Sequence, residues 1–220
     1  RQRQMCIRDS SSVKLSKTVM NKLRKNSKKK SSYASNKIEG NPLSEKQVNE
    51  VIESDERKHY LKPEQEVRNY FLALNFLEEK VSKKEKFSQK LILDVQKLVE
   101  KGASKEKIGL RGPMPPGVLF AVYDSKTGNP DYIPPEYCDI PELLDELVEY
   151  VNTTDDHPLI VAAVVHYQLV TIHPFEDGNG RTARLLSGYI MDLNGYGFNG
   201  IGSLEEYFAC LLYTSPSPRD

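Results

Sequence analysis

The stretch "HPFEDGNGRTAR", from His173 to Arg184, packs a histidine, two acids, two glycines, an asparagine and two arginines into twelve residues. Pro174 disfavours helical backbone at the residue before it, which predicts that a preceding helix ends at His173. The glycines then predict a loop, and the pattern after it predicts a helix that begins near Asn179. The sequence therefore places this polar stretch between two helices.

The glycines and arginines favour binding of an anion. Gly178 and Gly180 let bare backbone N–H groups approach a phosphate, and the N-terminus of the next helix favours negative charge. Arg181 and Arg184 are three residues apart, so both should project from one face of the first turn. Their charge opposes the helix dipole, which favours a polyanion between them.

The acid and the histidine add chemistry to this anion site. Asp177 is predicted to be a hard oxygen ligand for magnesium that is shared with phosphates. His173, with an ordinary pKa of about 6.5, can accept a proton from an attacking hydroxyl. Taken singly, these residue types are also typical of helix caps, surface ion pairs and ordinary turns. Their joint occurrence favours phosphate chemistry with a histidine base and one metal.

Helical periodicity extends outward on both sides of the stretch. The segments predicted as helices are 63–81, 88–102, 140–152, 157–172, 181–195 and 203–209. Segment 157–172 is apolar nearly all round, which predicts a central, buried helix. Only "VLFAVYDSKTGNPDYIPP", residues 118–135, reads as two short strands, with a turn at Gly128-Asn129. The predicted fold class is all-α, a helical bundle with one protruding β-hairpin.

Composition limits the class of protein. The 220 residues hold 31 Lys and Arg against 31 Asp and Glu, and 38% are hydrophobic, which suits one substantial domain. No apolar run approaches the ~20 residues of a membrane-spanning helix, so no membrane partner is expected. No signal-peptide pattern is present and the three cysteines have no framework spacing. A cytoplasmic, reducing location is therefore the expectation.

The two ends are treated separately. Residues 1–10, "RQRQMCIRDS", and 210–220, "CLLYTSPSPRD", resemble translated adapter sequences from sequencing libraries. With both set aside, residues 11–209 are expected to be the natural part, truncated inside the last helix. That part has 27 Lys and Arg and 29 Asp and Glu. Its charge does not favour nucleic acid, which is expected as a partner only through a lost C-terminal domain.

The N-terminal region, residues 11–62, is basic and Ser-rich at its start. Residues 11–32 predict a weak amphipathic helix that runs into a flexible lysine tract, that is, a solvated tail. Gly40 with Asn41-Pro42 then predicts a helix stop. Ser44 with Gln47 predicts a capping box for another helix.

The stretch from His173 to Arg184 resembles the signature of the Fic family, HxFx(D/E)GN(G/K)RxxR, at every specified position. The resemblance extends over residues 63–209, the expected Fic domain, and includes the hairpin. It implies the Fic fold and AMPylation, the transfer of AMP from ATP to a Ser, Thr or Tyr hydroxyl of a target protein. Magnesium would be the cofactor. The partners would be ATP and an unknown target, which can include the chain itself.

The resemblance also implies a role for each residue of the motif. His173 would be the general base, Phe175 would anchor the loop in the core, and Asp177 would hold Mg²⁺ between the α- and β-phosphates. The remaining positions would bind the nucleotide: Gly178, Asn179 and Gly180 would cradle the phosphates, and Arg181 and Arg184 would contact the outer ones. The hairpin would be a flap that aligns an extended target segment by main-chain pairing.

A second motif lies upstream. "SNKIEG", with Ser35, Glu39 and Gly40 at the required offsets, resembles the inhibitory motif (S/T)xxxE(G/N) that one Fic class carries at its N-terminal side. Glu39 would then reach Arg184 and occupy the place of the γ-phosphate, which implies autoinhibition. Two alternatives stay open: a hydrolase that removes AMP, and a non-catalytic nucleotide-binding or interaction module. A homodimer is also open, since some relatives use one to hold the inhibitory helix.

Overall fold

The computed structural model describes residues 15–55, 57–103, 108–123 and 128–212. These ranges hold eight α-helices and one two-stranded sheet. The elements are α1 (Lys17–Ile38), α2 (Glu45–Glu53), α3 (Lys62–Ser82), α4 (Gln89–Glu100), β1 (Val122–Tyr123), β2 (Pro130–Tyr132), α5 (Ile140–Thr153), α6 (Pro158–Ile172), α7 (Asn179–Leu193) and α8 (Leu204–Leu212). The predicted class, all-α with one hairpin, is confirmed.

One apolar core joins helices α3 to α7. Helices α6 and α7 form the most extensively packed pair, and α3 and α4 close the core from the other side. Its largest fully buried side chains include Tyr70 of α3, Leu91 of α4, Leu144 of α5, Leu169 of α6 and Tyr189 of α7. The loop between α6 and α7 therefore lies between the two most tightly packed helices, and this gives the motif a rigid base.

Helix α6 is not buried all round, and that prediction is wrong. Val165 and Leu169 face the core, whereas Leu159, Ile160 and Tyr167 are exposed on the opposite face. Apolar composition alone does not decide burial, because more than half of a folded protein's accessible surface is apolar. Helix α6 lies at the side of the bundle, with α7 and α5 as its neighbours.

The prediction of a flexible lysine tract is also wrong. Helix α1 runs without interruption through the tract, and Ser16 caps its first turn. Lys28 pairs with Glu78 of α3, and Lys29 pairs with Glu53 of α2. The lysines that suggested a solvated tail are therefore ion-pair partners of the neighbouring helices.

Serines form the other contact surface of α1. Ser27 Oγ donates to the carbonyl of Gly202 at 2.9 Å, and Ser31 Oγ donates to Ser203 Oγ at 2.8 Å. Both serines are buried, as is Ser35 one turn further on. Helix α1 thus packs by polar contacts along one face at four-residue spacing, which is why an apolar pattern did not reveal it.

The turns predicted at the end of α1 are confirmed. Gly40 follows the helix with φ of +82°, a left-handed conformation that favours glycine. Ser44 and Gln47 form the predicted capping box of α2. Asn41 Nδ2 donates to Glu66 Oε2 of α3 at 2.9 Å, so the turn is tied to the bundle.

The hairpin is confirmed as two short antiparallel strands, with Val122 opposite Tyr132. Tyr132 Oη donates to the carbonyl of Thr171 at 2.9 Å, which joins the hairpin to the end of α6. Its residues 124–127 lie outside the described residues, as do residues 1–10 and 213–220 of the adapter-like ends, whereas residues 210–212 lie in α8. No helix within the described ranges combines the length and apolarity that crossing a bilayer requires.

Candidate active site

The loop between α6 and α7 has left-handed backbone at both ends. His173 ends α6 with φ of +48° and ψ of +58°, and Gly178 precedes α7 with φ of +81°. Such a backbone is unfavourable for a residue with a side chain, so the surroundings must hold His173 in place. Helix α7 begins at Asn179, as the sequence predicts.

The imidazole of His173 has a defined tautomer. Its Nδ1 lies 3.2 Å from the carbonyl oxygen of Val170. A carbonyl only accepts, so Nδ1 must carry the hydrogen, and the neutral ring then has its lone pair on Nε2. Burial lowers the pKa of His173 below its usual 6.5. The imidazole is thus neutral at neutral pH and presents Nε2 as a base.

Arg111 holds the strained backbone of His173. Its Nε donates to the carbonyl of His173 at 2.8 Å, and its own backbone N–H donates to the carbonyl of Pro174 at 2.9 Å. The same guanidinium donates to the carbonyl of Pro135 and stacks on the ring of Phe120, 4.4 Å from the centroid. Arg111 therefore joins the loop between α6 and α7 to both ends of the hairpin. Sequence reasoning missed it, because a lone arginine among prolines carries no recognisable pattern.

Asn179 fixes the shape of the loop. Its Oδ1 accepts from the backbone N–H of Phe175 at 3.0 Å, and its Nδ2 donates to the carbonyl of Phe175 at 2.9 Å. The Phe175 side chain is fully buried in the core. The structure therefore places Phe175 where an anchor is expected, and the amide of Asn179, predicted as a phosphate ligand, is engaged by the loop itself.

The side chain of Asp177 is partly exposed and has two hydrogen-bond partners. Its Oδ1 accepts from the N–H of Gly178 at 2.8 Å and from Arg181 Nη2 at 3.2 Å. Its Oδ2 takes no hydrogen bond among the described residues, and 34% of the side chain is exposed. Over those same ranges no group of three or more His, Cys, Asp or Glu could hold a metal. A cation at Asp177 would need its other ligands from phosphates or water, which suits Mg²⁺.

Arg184 is buried and bound to helix α1. Its Nε donates to Ser35 Oγ at 2.9 Å, and its Nη2 donates to the Ser35 carbonyl at 3.3 Å and to Glu39 Oε1 at 2.5 Å. Only 5% of the Arg184 side chain is exposed, against 40% for Glu39. Burial disfavours the charge of Arg184, but the carboxylate of Glu39 outweighs it, and the pKa of Arg184 is raised.

The carboxylate of Glu39 also lies on the first turn of α7. A Cβ atom on Gly180 would stand only 2.6 Å from Glu39 Oε1, so the absence of a side chain at Gly180 leaves room for this carboxylate. Negative charge at this position is favoured by the helix dipole. An acid of the chain itself therefore occupies the place that the sequence assigns to an anion.

Arg181 has a different acidic neighbour. Its Nη2 lies 2.9 Å from Glu100 Oε1, at the end of α4, and its Nη1 lies 4.0 Å from Glu66 of α3. Glu100 was missed by sequence reasoning. A signal did exist: Gln96 and Glu100 continue the face of α4 that begins with the buried Ile92, where apolar residues are expected.

The side chains of Arg181 and Arg184 thus project from the same end of α7 but contact different helices. Arg184 reaches α1 and Arg181 reaches α4. Gln96 of α4 donates to the carbonyl of Asp177 at 3.3 Å, so α4 supports the loop as well as Arg181. The carboxylates of Glu39 and Asp177 both lie close enough to act on the pKa of His173. Ser35 and Glu39 of the upstream motif therefore meet the predicted residues of the loop at one end of α7, whereas Gly40 lies in the turn after α1.

A helical bundle that carries this loop between its two most extensively packed helices, with a hairpin beside it, is the arrangement of the Fic class. Residues 15–191 match the Fic/DOC family, and the chain belongs to that family.

Its relatives include adenylyltransferases. Protein adenylyltransferase fic-1 of Caenorhabditis briggsae is 32% identical over 183 residues, which cover 79% of this chain and 34% of that protein. Protein adenylyltransferase fic-1 of Caenorhabditis elegans is 42% identical over 84 residues, 36% of this chain and 16% of that protein. The aligned part of the chain thus spans about a third of the length of the first of these relatives and about a sixth of the second.

Solved structures share the fold. A Fic domain containing signaling protein from Bacteroides thetaiotaomicron matches with a TM-score of 0.76 at 22% identity, over 96% of this chain and 78% of that one. Fic-1 (residues 134–508) of C. elegans matches with a TM-score of 0.71 at 26% identity, over 96% of this chain and 66% of that one.

Proposed function

We propose that this chain transfers AMP from ATP to a Ser, Thr or Tyr hydroxyl of a target protein, and that Glu39 restrains the reaction. One observation carries the proposal. A neutral imidazole lies at the end of α6 and a buried guanidinium lies near the start of α7, and the guanidinium is bound to an acid that is 40% exposed and thus displaceable. The names of the related adenylyltransferases support the choice of AMP transfer.

The chemical step uses His173 as its base. The target hydroxyl attacks the α-phosphorus of ATP, a new P–O bond forms, and the bond from the α-phosphorus to the bridging oxygen breaks. Pyrophosphate leaves with that electron pair, and the hydroxyl proton passes to His173 Nε2. The hydrogen bond from Nδ1 to Val170 keeps Nε2 available for this proton.

Asp177 would hold Mg²⁺ through its exposed carboxylate, together with phosphate oxygens of ATP. When bound, the ion supplies charge neutralisation for the phosphates. The backbone N–H group of Gly180 and the guanidinium groups of Arg181 and Arg184 would bind the phosphates beside it, whereas the N–H of Gly178 already donates to Asp177. Arg111 has a different role from Arg181 and Arg184, because its guanidinium binds the backbone carbonyl of His173.

The restraint follows from the contact between Glu39 and Arg184. An outer phosphate of ATP and the Glu39 carboxylate would compete for the same guanidinium and for the same helix end. Losing one charge-assisted hydrogen bond of this kind costs about 1.5–3 kcal/mol. Basal activity should therefore be low until α1 moves or Glu39 is replaced.

The reaction is tested with ATP labelled either at the α- or at the γ-phosphate. The Glu39→Gly variant is incubated with each label, Mg²⁺ and a cell lysate, and labelled proteins are separated by electrophoresis. We expect protein labelling from α-labelled ATP only. Adding His173→Ala to this variant should remove it.

Other outcomes separate the alternatives. Labelling from the γ-phosphate would indicate a kinase and overturn the proposal. Labelling that persists at the same rate with His173→Ala would remove the assigned base. Release of AMP from a previously labelled protein, without transfer from ATP, would assign the hydrolytic reaction instead.

A further inference from the structure

Glu100 is a buried acid that the proposed reaction does not use. It is the last residue of α4, its side chain is 1% exposed, and its Oε1 lies 2.9 Å from Arg181 Nη2. The pair is close but misaligned, because Oε1 accepts no hydrogen bond among the described residues. Burying a carboxylate that lacks a hydrogen bond costs free energy, so the position of Glu100 needs a reason.

The hydrogen bonding of the Arg181 side chain is also incomplete. Its side chain is 5% exposed, and its Nε and Nη1 atoms donate no hydrogen bond within the described ranges. Among the described residues, its side chain donates one hydrogen bond, from Nη2 to Asp177. A buried guanidinium with N–H groups to spare, at the N-terminus of α7, is arranged to accept a further anion.

Glu100 also occupies space at the turn that precedes α7. A Cβ atom on Gly178 would stand 2.6 Å from Glu100 Oε1. The Glu100 carboxylate therefore lies against the bare backbone of Gly178, as the Glu39 carboxylate lies against that of Gly180. Each of the two glycines that would admit a phosphate instead faces an acid from another helix.

We propose that Glu100 is a positioning residue that holds Arg181 through its charge and competes with the nucleotide phosphates for it. Glu39 and Glu100 are then two separate internal anions, one for each arginine of the motif. The inference rests on the proposed binding of nucleotide at this loop. It adds a second restraint, from the core helix α4, that is independent of α1.

The charge of Glu100, and not its shape, should determine its effect on nucleotide binding. The other charged groups that face it are Arg181 and Asp177 at the α7 end and Glu66 and Lys62 from α3. Glu100→Gln keeps the volume and removes one negative charge near incoming phosphates. Burial already holds the pKa of Glu100 at about 7, so the neutral side chain fits this pocket.

The test measures binding of ADP with Mg²⁺ by isothermal titration calorimetry, with the whole chain. Four proteins are compared: wild type, Glu39→Gly, Glu100→Gln and the double variant. Glu146→Gln, an exposed glutamate on α5, is the matched charge control. We expect Glu100→Gln to tighten ADP binding about three- to tenfold in both backgrounds, and Glu146→Gln to leave it unchanged. In the Glu39→Gly background, KM for ATP should fall while kcat stays within about twofold.

The outcomes separate the two proposals. If Glu39→Gly binds ADP but Glu100→Gln changes its affinity less than twofold or weakens it, the positioning role is wrong and the proposed function stands. If none of the four proteins binds ADP, the nucleotide site itself is wrong. Thermal unfolding checks that each variant is folded, and Glu100→Asp, which keeps the charge, should bind ADP no tighter than wild type.

Discussion

The Oε1 atom of Glu39 lies 2.6 Å from the point where a Cβ atom on Gly180 would stand. Cβ atoms essentially never approach another atom this closely, so the acid of α1 and a side chain at residue 180 exclude each other. The contact links the N-terminal helix to the first turn of α7. It also places a carboxylate where the motif favours an anion.

Gly180→Ala should therefore displace Glu39 and weaken its contact with Arg184. In a Glu39→Gly background the clash with the carboxylate is gone, Arg184 Nη1 at 3.1 Å is the nearest remaining contact of the new methyl group, and the better helix propensity of alanine should stabilise the helix by up to ~1 kcal/mol. A double-mutant cycle by urea unfolding should give a coupling of about 1–3 kcal/mol. Simple additivity of the two substitutions would contradict the account.

Asn179→Ala tests the loop. The substitution leaves the buried backbone N–H and carbonyl of Phe175 without their partners, so the free energy of unfolding should fall by about 2–4 kcal/mol. Asn194→Ala is the control, since Asn194 makes a hydrogen bond to Ile190 at the exposed end of the same helix. Its effect should stay below ~1 kcal/mol. Equal losses at the two positions would show that the loop does not depend on Asn179.

His173 sets the acid limb of the rate profile. Burial lowers its pKa below 6.5, so the imidazole is mostly neutral at neutral pH and loses its function as a base as pH falls through the lowered pKa. We expect the acid limb of kcat/KM to be centred below pH 6.5. The Glu39→Gly, Glu100→Gln double variant is measured, so that Glu100 does not titrate in the same range. A limb centred above pH 6.5 would contradict the burial of the imidazole.

Glu100 gives folding stability a pH dependence. Its pKa rises to about 7 on folding from about 4.5, so the folded chain binds more protons than the unfolded chain between these values. Its contribution to stability therefore falls as pH rises from 4.5 to 7 and stays low above that. The Tm of Glu100→Gln, relative to wild type, should increase from pH 5 to pH 8, with about 2–4 °C for each kcal/mol. A pH-independent difference, like that expected for Glu146→Gln, would contradict this.

The sequence predicted most of the core and the loop. Periodic apolar residues identified α3 to α7 within a residue or two, because these helices pack by apolar contacts. Helix α1 was predicted only in part, since its docking depends on Ser27, Ser31 and the lysine ion pairs, which periodicity does not register. The exposed face of α6 was missed for the opposite reason, because its apolar residues fit the helical pattern of a buried helix but face solvent.

The site residues that lie together in one segment of the sequence were predictable. The motif residues lie within twelve positions, and the helix start at Asn179 followed from its glycines and proline. Arg111 and Glu100 come from distant segments, and their roles depend on how the hairpin and α4 meet the loop. Such contacts arise from tertiary packing, and a single sequence gives no measure of them.

In the proposed restraint, α1 withholds Arg184 from the nucleotide. The most direct measurement is the initial rate of label transfer from α-labelled ATP to protein, for wild type, Glu39→Gly and Glu45→Gly, which replaces an exposed glutamate of α2. We predict at least a tenfold increase for Glu39→Gly, since about 1.5–3 kcal/mol corresponds to roughly 10- to 150-fold, and no increase for Glu45→Gly. A folded Glu39→Gly protein that transfers label at the wild-type rate would contradict the claim.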